Sequence, residues 1–164
     1  MNEISLPARW PAHNLIGKAI GLLNAIPYSV IALIARAATF SVFWRSGTEK
    51  LADWHATLLL FVNEYRVPLI PSHAAAYMAA SLELGGSVLV LLGLITRLSV
   101  FLLLGMVTVI EIFVYPGAWP DHIQWLAFMF ILLARGPGAL SLDALIYRTL
   151  SGQGQKKRTL GADR

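Results

Sequence analysis

The stretch 72-SHAAAYMAASLELGGSVLVLLGL-94 decides the fold. It carries a single carboxylate, Glu83, near the middle of an otherwise apolar and small-residue run. As an α-helix it extends about 33 Å, enough to cross the hydrocarbon core of a bilayer. Pro71 precedes it, and Ser72 is placed to cap its first turn. Helical spacing puts Ala76, Ala79, Ala80, Gly86 and Ser87 on the face of Glu83, a surface small enough for another helix to approach closely. The stretch reads as a membrane span whose carboxylate points at a partner helix.

Working outward, hydrophobic length predicts three more spans. One runs from Pro27 to Trp44, with Arg36 near its middle, Ser29, Ala32 and Thr39 as its small-residue face, and Gly47 closing it. Another runs from Arg97 to Tyr115 and stops at Pro116-Gly117. The last starts near His122 and its apolar run ends at Ala134, so it borrows flanking residues or bends at Gly136-Pro137-Gly138. Three further segments have the apolar spacing of helices lying at the interface. In Leu51 to Tyr65 the stripe is Leu51, Trp54, Leu58, Phe61 and Tyr65, with Ser46 and Glu49 resembling a capping box upstream. The others are Asn14 to Ile26, and Leu142 to Leu150 with Ser141 as cap and Asp143 in the first turn. The fold class is an all-α membrane protein, a four-transmembrane-helix bundle with short interfacial helices. Its parts are an N-terminal segment (1–26), the four-span domain (27–135), an interfacial helix (136–150) and a basic tail (151–164).

Composition agrees with lipid as the solvent. The 164 residues are 57% hydrophobic and only 13% charged, and mean hydropathy is +0.64, outside the range of ordinary soluble domains. The spans leave no room for a separate catalytic domain. The net charge of +4 does not imply nucleic acid, because the basic residues sit at span ends and in the tail. With four spans, Arg9, Lys18, Arg97, Arg135, Arg148, Lys156, Lys157, Arg158 and Arg164 fall on one side, against Arg45, Lys50 and Arg66 on the other. The positive-inside rule then puts both termini in the cytoplasm and His55, His73 and His122 outside. Asn14 to Ile26 is interrupted by Lys18 and two glycines and does not read as a cleaved signal. Without cysteine, disulfides, thiolate metal sites and CxxC redox chemistry are excluded.

Two charges near span centres are the most informative positions. A central charge costs roughly 2.5 to 3.5 kcal/mol on insertion scales, so Arg36 and Glu83 are expected to pair with each other. Such a pair either fixes helix register or serves as a proton or ligand site, since a carboxyl group in low dielectric can hold its proton near neutral pH. Glu111, Asp121 and His122 are expected as neighbours across the short turn, either as interfacial polar residues or as an outer proton relay or weak metal site. Trp44, Trp54, Trp119 and Trp125 read as interface anchors, against which a quinone ring could also stack. No Walker loop, dinucleotide glycine pattern, HExxH pair or GxSxG elbow is present.

The chain resembles the DoxX family of four-span bacterial membrane proteins over roughly Pro27 to Leu150. The residues that carry the resemblance are Arg36 followed by Gly47-x-x-Lys50-Leu51; Glu83-Leu84-x-Gly86; Leu91-x-Gly93-Leu94-x-Thr96-Arg97; and Gly136-Pro137-Gly138-x-x-Ser141-Leu142-Asp143. The resemblance implies a bacterial inner-membrane protein associated with oxidoreductase or redox-defence systems, with quinone as a cofactor to be expected and a redox protein as partner. Other DoxX-like members accompany metal-responsive peptides and their iron-dependent modifying enzymes, and the Gly-Pro-Gly ending is similar to theirs. That implies an alternative: a non-enzymatic factor in copper or other metal stress or in peptide maturation, with a partner supplying any thiolate. A small-solute or proton pathway is a third reading, although the paired broken helices of a transporter are missing from the sequence.

Overall fold

A computed structural model describes residues 11–151, and every described element is helical. The basic tail and Arg9, Lys156, Lys157, Arg158 and Arg164 lie outside the described residues. Helix α1 (Pro11–Asn24) meets α2 (Tyr28–Ala52) at a 67° bend around Pro27. A short helix α3 (Trp54–Leu60) runs on into a π-helical turn, Phe61–Tyr65. Helix α4 (Ser72–Leu92) has a π-helical turn at Leu82–Gly86, and α5 (Thr96–Val114) ends in another at Ile110–Val114. Helix α6 (Trp119–Arg135) and a final helix α7 over 142–151 complete the chain.

By length and composition, α4 and α5 can each cross a membrane, and the bent pair α1–α2 makes a third candidate. At 17 residues, α6 extends about 26 Å. It starts earlier than its apolar run because Pro120 in its first turn leaves no amide unpaired. It does not bend through the Gly-Pro-Gly sequence: it stops at Arg135, where Gly136 takes φ +82°.

The hydrophobic core lies between α2, α4, α5 and α6, around Ala32, Ala35, Phe43, Val90, Leu103, Val107, Met129 and Leu132. A smaller cluster holds α3 against the start of α4 through Phe61, Ala75 and Ala76. Around it, large apolar side chains such as Ile34, Phe101, Leu102, Ile112 and Phe130 face outward, as they do when the surrounding solvent is hydrocarbon.

Three expectations are corrected by this packing. The first span does not end at Trp44 before a closing Gly47: α2 continues to Ala52, and Gly47 is buried inside it. A Cβ there would lie 2.7 Å from Leu84 Cγ, so this glycine permits close contact with α4 rather than terminating a helix. The Ser46–Glu49 capping box therefore does not form, and the interfacial helix starts at Trp54 with Asp53 accepting from the Ala56 amide at 2.9 Å. Ser72 is the first residue of its helix, not the cap; Pro71 occupies that position without a side-chain bond.

Candidate functional site

At one end of the bundle, Arg36 is 3% exposed and every guanidinium nitrogen donates to a backbone carbonyl. Nε reaches Val90 O at 3.0 Å and Leu91 O at 3.1 Å, Nη1 reaches Leu140 O at 2.6 Å and Pro137 O at 3.4 Å, and Nη2 also bonds Leu91 O. Val90 and Leu91 are both in the last turn of α4, where a cation suits the dipole; Val90 O is shared with the Gly93 amide at 3.0 Å, and Leu91 O is left to the guanidinium. The same guanidinium holds the loop after α6. Gly93 lies beneath it at φ +69°, where a Cβ would sit 2.5 Å from Ser141 Cβ and 3.1 Å from Arg36 Cζ. Gly138, at φ +82°, leaves room for Ser29 and Ala32, and the Ser29 hydroxyl accepts from the Ala139 amide at 2.9 Å.

Asp143 completes this joint. Its carboxylate accepts from the amides of Ile95 (2.8 Å) and Thr96 (3.0 Å) and from the Thr96 hydroxyl (2.9 Å), so a residue of α7 caps α5. Ser141 caps α7 itself, accepting from the Ala144 amide at 3.2 Å. The Gly93-x-x-Thr96 and Ser141-x-Asp143 sequences are two halves of one contact. That contact could not be found from either half, because Thr96 and the Asp143 carboxylate are satisfied by each other across 47 residues of chain.

The expected Arg36–Glu83 pair does not form. Helices α2 and α4 are antiparallel; Arg36 meets α4 at Val90 and Leu91, and Glu83 is met further along α2 by Ser46 and Lys50. The Lys50 ammonium lies 2.9 Å from Glu83 Oε1, the Ser46 hydroxyl donates to the same oxygen at 3.2 Å, and Lys50 also bonds Ser46 at 2.9 Å. Glu83 is 2% exposed, and its second oxygen, Oε2, is buried with no hydrogen-bond partner among the described residues. Ending the first span at Gly47 hid these partners. Once the helix continues, Ser46 and Lys50 stand four residues apart on one face beside that glycine.

The third cluster lies toward the α3 end. Glu111 and His122 are brought together through Oε2 and Nδ1, and Trp125 lies 4.8 Å from the imidazole ring. Asp121 is exposed and does not join them. Among the described residues no group of three His, Asp or Glu side chains could hold a metal. Beside this pair, Tyr115 donates to Glu64 at 2.6 Å. That bond, burial and the neighbouring Tyr65 push the phenol, just beyond α5, above its ordinary range. His55 and His73 are exposed. Trp44 and Trp119 face outward like interface anchors, whereas Trp54 and Trp125 pack inward against Tyr77 and His122.

Glu64, Glu83 and Glu111 each lie in one of the three π-helical turns. Such a turn inserts a residue into the helical register and is common at functional sites. No propensity or periodicity signal announces it in the sequence. On the surface between α3 and α4, a groove is lined by Leu51, Trp54, Tyr77, Ala80, Ser81 and Leu84. Glu83 and Lys50 are thus flanked in sequence by residues that line an apolar recess.

The DoxX family model matches residues 31–116, a segment that includes Arg36, Lys50, Glu83 and Glu111. No curated protein and no solved structure matches the chain.

Proposed function

The chain belongs to the DoxX family, and from that membership we propose that it is a multi-pass inner-membrane subunit of an oxidoreductase or redox-defence complex, with a quinone-linked proton site at Glu83. In this reading α2, α4, α5 and α6 supply four spans, with α1 along the interface and both termini cytoplasmic. The carrying observation is the buried Glu83 carboxylate, anchored through one oxygen by Lys50 and Ser46 and, among the described residues, unpartnered at the other. Buried polar atoms are rarely left unpaired, so Oε2 is the atom free to hold or release a proton toward a ligand.

The surrounding residues fit a quinone. The recess formed by Trp54, Tyr77, Ala80 and Leu84 is apolar and partly aromatic, and two of its lining residues, Leu51 and Leu84, adjoin Lys50 and Glu83 in sequence. A bound quinone supplies paired electron and proton uptake. The protein's own part is narrower: Lys50 holds Glu83 in place, Ser46 shares the anchoring oxygen, and Gly47 lets α2 and α4 close around them.

The test is a gentle detergent purification of the full chain with its associated proteins and lipids, in wild-type and Glu83→Gln forms. A redox protein and quinone are expected to co-purify with the wild type, and quinone-linked turnover to fall about a hundredfold in the variant. Full turnover by Glu83→Gln removes the proton role. Recovery of neither quinone nor a redox partner removes the reading as a whole.

A further inference from the structure

Arg97 at the start of α5 and Arg135 at the end of α6 border one open groove, with Ile95, Leu98, Gly138 and Tyr147. Arg97 donates to Ala134 O at 3.4 Å, a Cβ placed on Gly136 would lie 3.7 Å from its Nη2, and the Arg135 guanidinium lies 4.5 Å from the Tyr28 ring centroid. The Tyr28 hydroxyl donates to Gly136 O at 2.7 Å, so Tyr28 ties the Arg135 guanidinium over its ring to the loop that Arg97 borders. Among the described residues neither arginine forms an ion pair. Asp143 also borders the groove, but its two oxygens are occupied by Ile95 and Thr96.

The level of this groove relative to lipid follows from its neighbours. Helix α1 leaves the same end of the bundle at 67° to α2, and its side chains from Leu15 to Asn24 are all exposed. Helical spacing puts Ile16, Ile20 and Leu23 on one side and Lys18 on the other, the pattern of a helix lying in an interface. In α7, Leu145, Ile146 and Leu150 are exposed next to the groove wall. Two cations without an ion-pair partner among the described residues therefore stand where headgroups and acyl chains meet. A basic pocket between spans at that depth is the arrangement that holds an anionic headgroup.

We propose that the Arg97–Arg135 groove is a binding site for an anionic phospholipid, its phosphate between the two guanidiniums and its acyl chain along Leu98 and the outer side of α5. Guanidinium is suited to the role because its planar donors match phosphate oxygens in pairs. The occupant is a lipid rather than a soluble phosphate because the groove is continuous with the apolar surface of α5, where Leu98, Phe101 and Leu102 face outward.

The full chain is reconstituted in phosphatidylcholine vesicles, and spin-labelled phosphatidylglycerol is compared with spin-labelled phosphatidylcholine for the motionally restricted fraction. Preference for phosphatidylglycerol is expected, falling on the order of fivefold for each arginine removed in Arg97→Gln and Arg135→Gln. The Arg45→Gln/Arg66→Gln variant, altered at the other end, is expected to keep it. Equal association of the two lipids with the wild type overturns the proposal, as does an unchanged preference in the Arg97→Gln/Arg135→Gln protein. Displacement by millimolar inorganic phosphate also overturns it, by showing an anion site indifferent to lipid. Should the double variant fail to fold, the wild type decides: preference is expected to weaken in high salt, and its full persistence sinks the proposal.

Discussion

The Arg36 end and the Glu83–Glu111 region bury charge in opposite ways. At the Arg36 end the bonding is mostly to backbone: the guanidinium serves carbonyls of α4 and of the loop after α6, and Asp143 takes amides at the start of α5. Its anionic neighbour is Asp143, not Glu83. In the other region polar groups meet side chain to side chain, buried as Lys50 with Glu83 and Glu111 with His122 and at the surface as Tyr115 with Glu64, and each carboxylate sits in a π-helical turn. A charge bound to backbone cannot change state without undoing the fold, whereas a side-chain pair can exchange protons while the helices stay in place. The first region is a joint, and the second is where chemistry is available.

The hardest blow to that contrast is Arg36→Met. It strands the carbonyls of Leu91, Pro137 and Leu140, each costing about 1 to 2 kcal/mol, or about 4 kcal/mol in all, while Val90 O keeps the Gly93 amide. Loss of a monodisperse folded protein in detergent is expected, and Arg36→Lys is not expected to restore it, because an ammonium lacks the fork that spans both partners. A normal melting temperature for Arg36→Met makes the joint unimportant.

Next in size is Lys50→Met, expected to cost about 3 kcal/mol by leaving Glu83 buried without its counter-charge. The double change Lys50→Met/Glu83→Gln recovers most of that loss if the pair is dispensable for folding. Thermal melts of the two proteins compare the terms directly, and a double variant as unstable as the single one makes this region a structural joint as well.

Gly93→Ala is the smaller test, at about 2 kcal/mol, since alanine there must adopt φ +69° and crowd Ser141. Gly85, in the π-helical turn beside Glu83, has open space where its Cβ would be. Gly85→Ala is therefore expected to be close to neutral in the same melt. Equal effects at the two glycines contradict the account of Gly93 as the floor under Arg36.

Hydrophobic length alone located most of the helices, to within a few residues, because a span must be long and apolar whatever it packs against. The Ser72 to Leu94 stretch was legible for that reason, and burial of Ala76, Ala80 and Ser87 beside Glu83 follows from their spacing. The Ser141 cap was legible because it is local, satisfied three residues away. Less was legible in the site. Arg36 and Glu83 were recognisable as charges that need partners, but residue type does not say which partner. Arg36 found backbone, and Glu83 found Lys50.

From its own order of residues the chain determines that it is helical and suited to lipid, and that its central charges must be compensated, because hydrophobic period and desolvation cost are properties of the local sequence. Tertiary structure alone decides the pairing. The length of α2, set by packing of Gly47 on Leu84, carries Ser46 and Lys50 to Glu83. The return of the chain after α6 brings Leu140 to Arg36 and Asp143 to Thr96. Hydrogen bonds act over about 3 Å, and only the packed bundle brings groups so distant along the chain within that range.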